Sequence, residues 1–183
     1  MLGMQNRSDK GCERDKIKSK RIALSLTVVA LVIILDQLSK FWVRVNLAQG
    51  ESLPESGFLR LTYVVNPGFV FGLPGNQTLL LVFAILVISL IIPFFLYYLS
   101  AHYRSPATRL CIICLGLILG GAIGNLIDRL RFGYVTDFID IRLWGNFHWP
   151  AFNFADSAIV VGTLTLAYAL FRSGLFKKIY DGN

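Results

Sequence analysis

Charge is the first thing this sequence is short of. Only 16% of its 183 residues are Asp, Glu, Lys or Arg, and acids are outnumbered by bases, eleven to eighteen. Cysteine is scarce too: Cys12 stands in a basic N-terminal segment, while Cys111 and Cys114 form a C-x-x-C inside an apolar run. Redox or metal work by such a pair needs solvent access and usually more ligands, so the two read as small buried side chains. Three thiols also give no disulfide framework. His102 and His148 each stand alone and do not resemble a metal set, so no metal is expected. With no G-x-S-x-G and no phosphate loop, nucleophilic triads and nucleotide chemistry have no candidate residues. Internal repeats and low-complexity segments are likewise missing.

Apolar residues are what the chain has in abundance, at 55%. A hydrocarbon layer about 30 Å thick takes roughly 20 apolar residues in helix, and four runs approach that length. They are residues 22–43, 79–99, 110–127 and 155–171. The first follows a basic tail as a signal peptide would, but no small-residue cleavage site comes after it, and "DQLSKFW" continues the helical pattern. The second carries Pro93, a kink that neighbouring helices can accommodate. An integral membrane protein with four transmembrane helices and both termini on one side is expected.

Basic residues orient it. Twelve of the eighteen Lys and Arg lie before the first run, between the second and third, or after the fourth. Those segments are expected to be cytoplasmic, and the excess of +7 charges is accounted for by topology and anionic lipid, with no nucleic acid needed. The domain plan is a mobile basic tail over 1–21, one membrane-embedded domain over 22–176, and a cytoplasmic tail over 177–183. The two outward connections are rich in aromatic and β-branched residues with partial alternation. "FLRLTYVVNPGFVFG" and "YVTDFIDIRLW" predict short strands, and hence a small extracytoplasmic antiparallel β-sheet on the outer leaflet. Trp42, Trp144 and Trp149 suit the headgroup layer.

Polar residues gather at the outward ends of the runs. Gly116, Gly120 and Gly124 make a small-residue stripe along one helix face, continued by Asp128, with Gly121 and Asn125 in a row beside it. Asp36 and Lys40 are spaced i, i+4 with the acid first, the favourable order for a helical ion pair, and Lys40 is long enough to snorkel outward. "NPGFVFG" reads as a tight turn or as a site for an extended backbone. Four carboxylates, Asp128, Asp137, Asp140 and Asp156, fall on the same side of the membrane. Two of them in a partly dry site would share a proton, one activating water and the other donating to a carbonyl oxygen, the logic of aspartic proteases. Ion or proton conduction and plain structural polarity are the alternatives left open by the residues alone.

Taken in order, "DQLSK", "NPGFVFG", "GGAIGNLIDR", "VTDF" and "FNFAD" resemble the motifs of the lipoprotein signal peptidases, signal peptidase II of bacteria. The second motif departs from the family pattern at Val70, where a small residue is usual, beside a bulky Phe69. The resemblance implies an enzyme of the bacterial cytoplasmic membrane that removes the signal peptide from diacylglyceryl-modified prolipoproteins, cutting before the lipidated cysteine and using no cofactor. It implies Asp137 and Asp156 as the catalytic pair. Asn66, Gly68, Asn125, Asn153, Asp128, Arg129, Asp36 and Lys40 are implied as substrate-binding or supporting residues. Arg129, adjacent to Asp128, is expected to keep that acid ionised.

Overall fold

The structure, a computed structural model, describes residues 2–68, 87, 91, 92, 94, 98, 106–145 and 147–172. The described elements are α1 (Leu2–Asn46), β1 (Ser52–Leu53), β2 (Leu59–Asn66), α2 (Pro106–Phe132), β3 (Val135–Trp144), β4 (Phe147–Phe152) and α3 (Phe154–Arg172). The span expected at 79–99 lies outside the described residues apart from isolated positions, as do Phe69, Val70 and the 177–183 tail. Three stretches, Lys16–Asn46, Thr108–Phe132 and Phe154–Arg172, are long and apolar enough to cross a membrane by length and composition.

Local chemistry explains where these helices start and stop. Pro106 opens α2, a position where its missing N–H satisfies nothing anyway and its fixed φ suits the helix. Gly133, at φ +78°, closes the helix in the left-handed conformation, its N–H bonding to Arg129 O at 3.0 Å. The chain then turns directly into β3, which brings Asp137 back past the end of the helix that carries Asp128. The basic segment expected to be a mobile tail is instead helical from Leu2, continuous with the first span. Likewise α2 runs on to Phe132, so Asp128 and Arg129 belong to the helix and not to the loop after it.

Apolar side chains such as Leu31, Leu38, Phe41, Leu164 and Phe171 face outward, whereas Asp36, Lys40 and Asp128 are 0% exposed. That inversion is what a lipid-solvated bundle requires: lipid competes for apolar surface but cannot solvate charge. The glycine stripe lets the helices close. A Cβ at Gly120 would meet Val32 of α1 at 2.8 Å, and one at Gly124 would lie 2.6 Å from Asp36 Oδ2. The neighbouring Gly121 faces α3 instead, against the carbonyl of Ala155, and Gly162 of α3 answers it by lying against Cys114 O of α2. One helix thus presents two glycine faces to two partners.

The strands form one sheet in the order β1-β2-β3-β4, every pair antiparallel. Phe138 of β3 packs with Val43 and Leu47 at the end of the first span, which ties the sheet to the helices. Strand β4 was not anticipated, because "FHWPAF" contains Pro150. It lies last in the sheet order, where a residue without an N–H is tolerated.

Candidate active site

Asp137 sits on β3 and is 2% exposed. Its Oδ2 accepts from Asn66 Nδ2 at 2.9 Å and its Oδ1 from Asn153 Nδ2 at 2.7 Å. Burial pushes its carboxyl up to about 6, helped by the nearby charge of Asp156 and opposed by the Asn66 and Asn153 donors. The orientation of Asn66 is not free. Gly68, at φ +80°, donates its N–H to Asn66 Oδ1 at 2.9 Å, so the turn holds the oxygen and aims the amide nitrogen at the acid.

Asp156 lies in the first turn of α3 and is partly open to the surface. Its Oδ1 accepts from Asn125 Nδ2 at 2.8 Å and its Oδ2 from the backbone N–H of Asn153 at 3.1 Å. The Asn153 side chain returns the favour, accepting the Asp156 N–H at 2.9 Å. This reciprocal pair is a capping box, and its N-x-x-D spacing ahead of an apolar run was readable in "FNFAD" but went unread. Asn153, fully buried, thereby touches both acids: its backbone N–H holds Asp156 and its amide holds Asp137.

A second group of charges lies behind this pair. Lys40 does not snorkel outward as expected but turns inward, with Nζ 2.8 Å from Asp36, 3.5 Å from Asp128 and 2.9 Å from Asn125 Oδ1. The ammonium donates to Asn125 and Asp36 and lies within ion-pair distance of Asp128. The reason is the Gly124 gap, which admits the Asp36 carboxylate against α2 and draws its partner in. Arg44, not Arg129, is the further cation beside Asp128, at 3.6 Å, while Asp128 Oδ2 accepts the Thr136 N–H at 2.9 Å. Arg129 Nη1 bonds back to Asn125 O at 3.3 Å, and its charge is felt at Asp156, Asp137 and Asp128. Asp36 also accepts the N–H of Ala155 at 3.0 Å, pinning the N-terminus of the helix that carries Asp156.

Asn125 links the two groups. Its oxygen faces Lys40, which can only donate, so its amide nitrogen must face Asp156. All ten residues singled out in the sequence therefore belong to one connected network. Asp140 does not join it, and His148, read as solitary, is 2.8 Å from Asp140. Among the described residues no group of three or more His, Cys, Asp or Glu is arranged to hold a metal ion.

Apolar helices with buried carboxylates at one end and a small antiparallel sheet are a fold shared with solved membrane enzymes. Two bacterial membrane enzymes determined by the in meso method, at 2.3 and 1.9 Å, superpose with TM-scores of 0.68 and 0.70 at 28% identity. They cover 82% and 81% of this chain and 89% and 93% of their own. Residues 28–172 match the family described as Signal peptidase (SPase) II. The lipoprotein signal peptidase of Moorella thermoacetica is 48% identical over 147 residues, 79% of this chain and 91% of that one. That of Syntrophotalea carbinolica is 39% identical over 160 residues, 87% and 98% of the two chains. The chain belongs to the signal peptidase II family, a family of membrane proteases.

Proposed function

We propose that this protein is an aspartic endopeptidase of the bacterial cytoplasmic membrane that removes the signal peptide from diacylglyceryl-modified prolipoproteins, cutting before the lipidated cysteine. The observation that carries the reading is that Asn153 holds Asp137 and Asp156 together, 2.7 and 3.1 Å from the two acids, with neutral amides as their direct partners. Two carboxylates bridged by one residue, with no ion pair to either among the described residues, feel each other's charge and, on this proposal, hold one proton between them.

Asp137, the more deeply buried, carries that proton, and Asp156 acts as the base. Asp156 takes a proton from water as the oxygen attacks the scissile carbonyl carbon, and Asp137 gives its proton to the carbonyl oxygen. The tetrahedral diol then collapses. Asp156 passes its proton to the departing amine, the C–N bond breaks, and Asp137 recovers a proton from the diol hydroxyl. No covalent enzyme intermediate and no metal is used. In this reading Asn66 and Gly68 serve the extended substrate backbone, and Asn125 and Asn153 hold the acids at fixed orientation.

The lipid requirement is supported by an apolar cavity of about 250 Å³ bounded by Val32, Leu35, Leu117, Phe154 and Val161, able to take part of an acyl chain. The domain is read as residues 22–176 with four spans, the one at 79–99 completing the bundle. Both termini are cytoplasmic, and the pair stands near the outer face. Purified protein in lipid nanodiscs, given a diacylglyceryl-modified precursor, is expected to release the signal peptide, and Asp137→Asn and Asp156→Asn are expected to release none. Ion flux in liposomes without proteolysis would replace this reading with a channel.

A further inference from the structure

A second polar cluster lies further along β3 and takes no part in the chemistry above. Asp140, 5% exposed, accepts from Arg60 Nε at 3.1 Å and also from Arg60 Nη2, accepts from Thr62 Oγ1 at 2.9 Å, and meets His148 Nδ1 at 2.8 Å. Thr62 is in turn 2.9 Å from Ser52 Oγ, so one carboxylate gathers side chains from all four strands. Burial alone would raise Asp140, but His148, Thr62 and Arg60 together hold its carboxyl below the usual range.

The backbone ladder shows what such a cluster is for. Strands β2 and β3 pair Leu61 with Ile139 and Val64 with Asp137, so Thr62 and Tyr63 together oppose Phe138 in a bulge. On the other side, the β3–β4 register shifts between Ile139 and Ile141, around Asp140 itself. The ladder is thus interrupted twice within three residues of β3, opposite Phe138 on the β2 side and at Asp140 on the β4 side, while Asp140 itself pairs regularly with Arg60 and its side chain reaches into the bulge through Thr62. Bulges of this kind aim side chains, and a slip of one residue turns every side chain of a strand to the opposite face. Slippage of β2 past the bulge would carry Asn66 away from Asp137 and break their 2.9 Å bond.

We propose that Asp140 is a positioning residue: through Arg60, Thr62 and His148 it locks the bulge in β2 and so fixes the register in which Asp137 meets Asn66. The inference rests on the reading of Asp137 as a reacting acid. Its consequence is that residues well along the sheet from the pair set the rate of the chemical step without touching substrate.

Full-length protein in nanodiscs, assayed with the lipidated precursor, tests it. Thr62→Val keeps the side-chain shape and removes only the hydroxyl that ties the bulge to Asp140. The expected result is a kcat about 10-fold lower with KM within about twofold, the signature of a loss confined to the transition state. The alkaline limb of kcat/KM should also move to higher pH, because Asp137 loses the Asn66 donor that opposes its raised carboxyl. Asp140→Asn, which leaves Arg60 without its counter-charge, should show the same pattern more strongly. A wild-type kcat and pH profile in Thr62→Val, or a lower melting temperature with kcat intact, overturns the proposal, including where Asp140→Asn fails to fold. An active Asp137→Asn would instead overturn the reading of Asp137. An inert Asp137→Asn beside a fully active Thr62→Val would sink this inference alone.

Discussion

Asp36 and Asp128 are buried beside two cations, Lys40 and Arg44, and make ion pairs of 2.8 to 3.6 Å. Asp137 and Asp156 have no ion pair among the described residues, and amides hold them instead. Both sets sit at the same end of the bundle and share Asn125, so their contrast is informative. A compensated set is inert: its charges are neutralised in place, and removing one strands the others. A set held by neutral donors, with Arg129 and Lys40 felt only through their charge, keeps more of its electrostatic cost, which uptake of a proton relieves. On the proposed function the first set is the platform and the second does the chemistry.

The sharpest way to break the comparison is to alter the reactive set. Asp137→Asn and Asp156→Asn should each lower the cleavage rate by about 10³-fold or more while leaving the fold intact, as loss of an acting acid or base does. Rates measured with a lipidated precursor, alongside a melting curve, check both halves of that statement. The opposite signature belongs to the compensated set. Lys40→Met leaves Asp36 and Asp128 buried and short of a cation, and should lower stability by about 3–5 kcal/mol in denaturation in mild detergent.

Smaller effects sharpen the same boundary. Gly124→Ala would drive a Cβ to 2.6 Å from Asp36 Oδ2 and should cost about 1–3 kcal/mol, visible as a lower melting temperature. A subtler change is predicted in the pH profile. On the proposed mechanism Asp137 carries the shared proton, and with its carboxyl raised to about 6, kcat/KM of the free enzyme should fall as pH rises through that value. The Asn66 donor opposes the raised value, so Asn66→Ala should move this alkaline limb to higher pH. A limb that stays put, or moves the other way, would separate Asn66 from the acid.

Much of this was legible because apolar run length, glycine spacing and i, i+4 charge order act locally along the chain. The three described spans, strands β2 and β3, and the pairing of Asp36 with Lys40 follow from such patterns. What escaped depends on tertiary approach. Nothing in "DQLSK" says that the ammonium turns inward, since that follows from a gap at Gly124, distant in sequence. Arg129 does interact with Asp128 through its charge, but Arg44 as the ion-pair partner of that acid is not legible for the same reason: it arrives from another helix. His148 was read as solitary because its partners lie on adjacent strands. The capping box at Asn153 and Asp156 is different, a local signal in which one carboxylate both caps a helix and faces Asp137 across Asn153.

Sharing of one proton between Asp137 and Asp156 is most directly tested by infrared difference spectroscopy of the protein in nanodiscs, following the protonated-carboxyl stretch through a pH titration. The predicted result is a band that is lost as pH rises through about 6 and is missing from Asp137→Asn. A wild-type spectrum with no such band, or a band that persists unchanged in Asp137→Asn, would contradict the account.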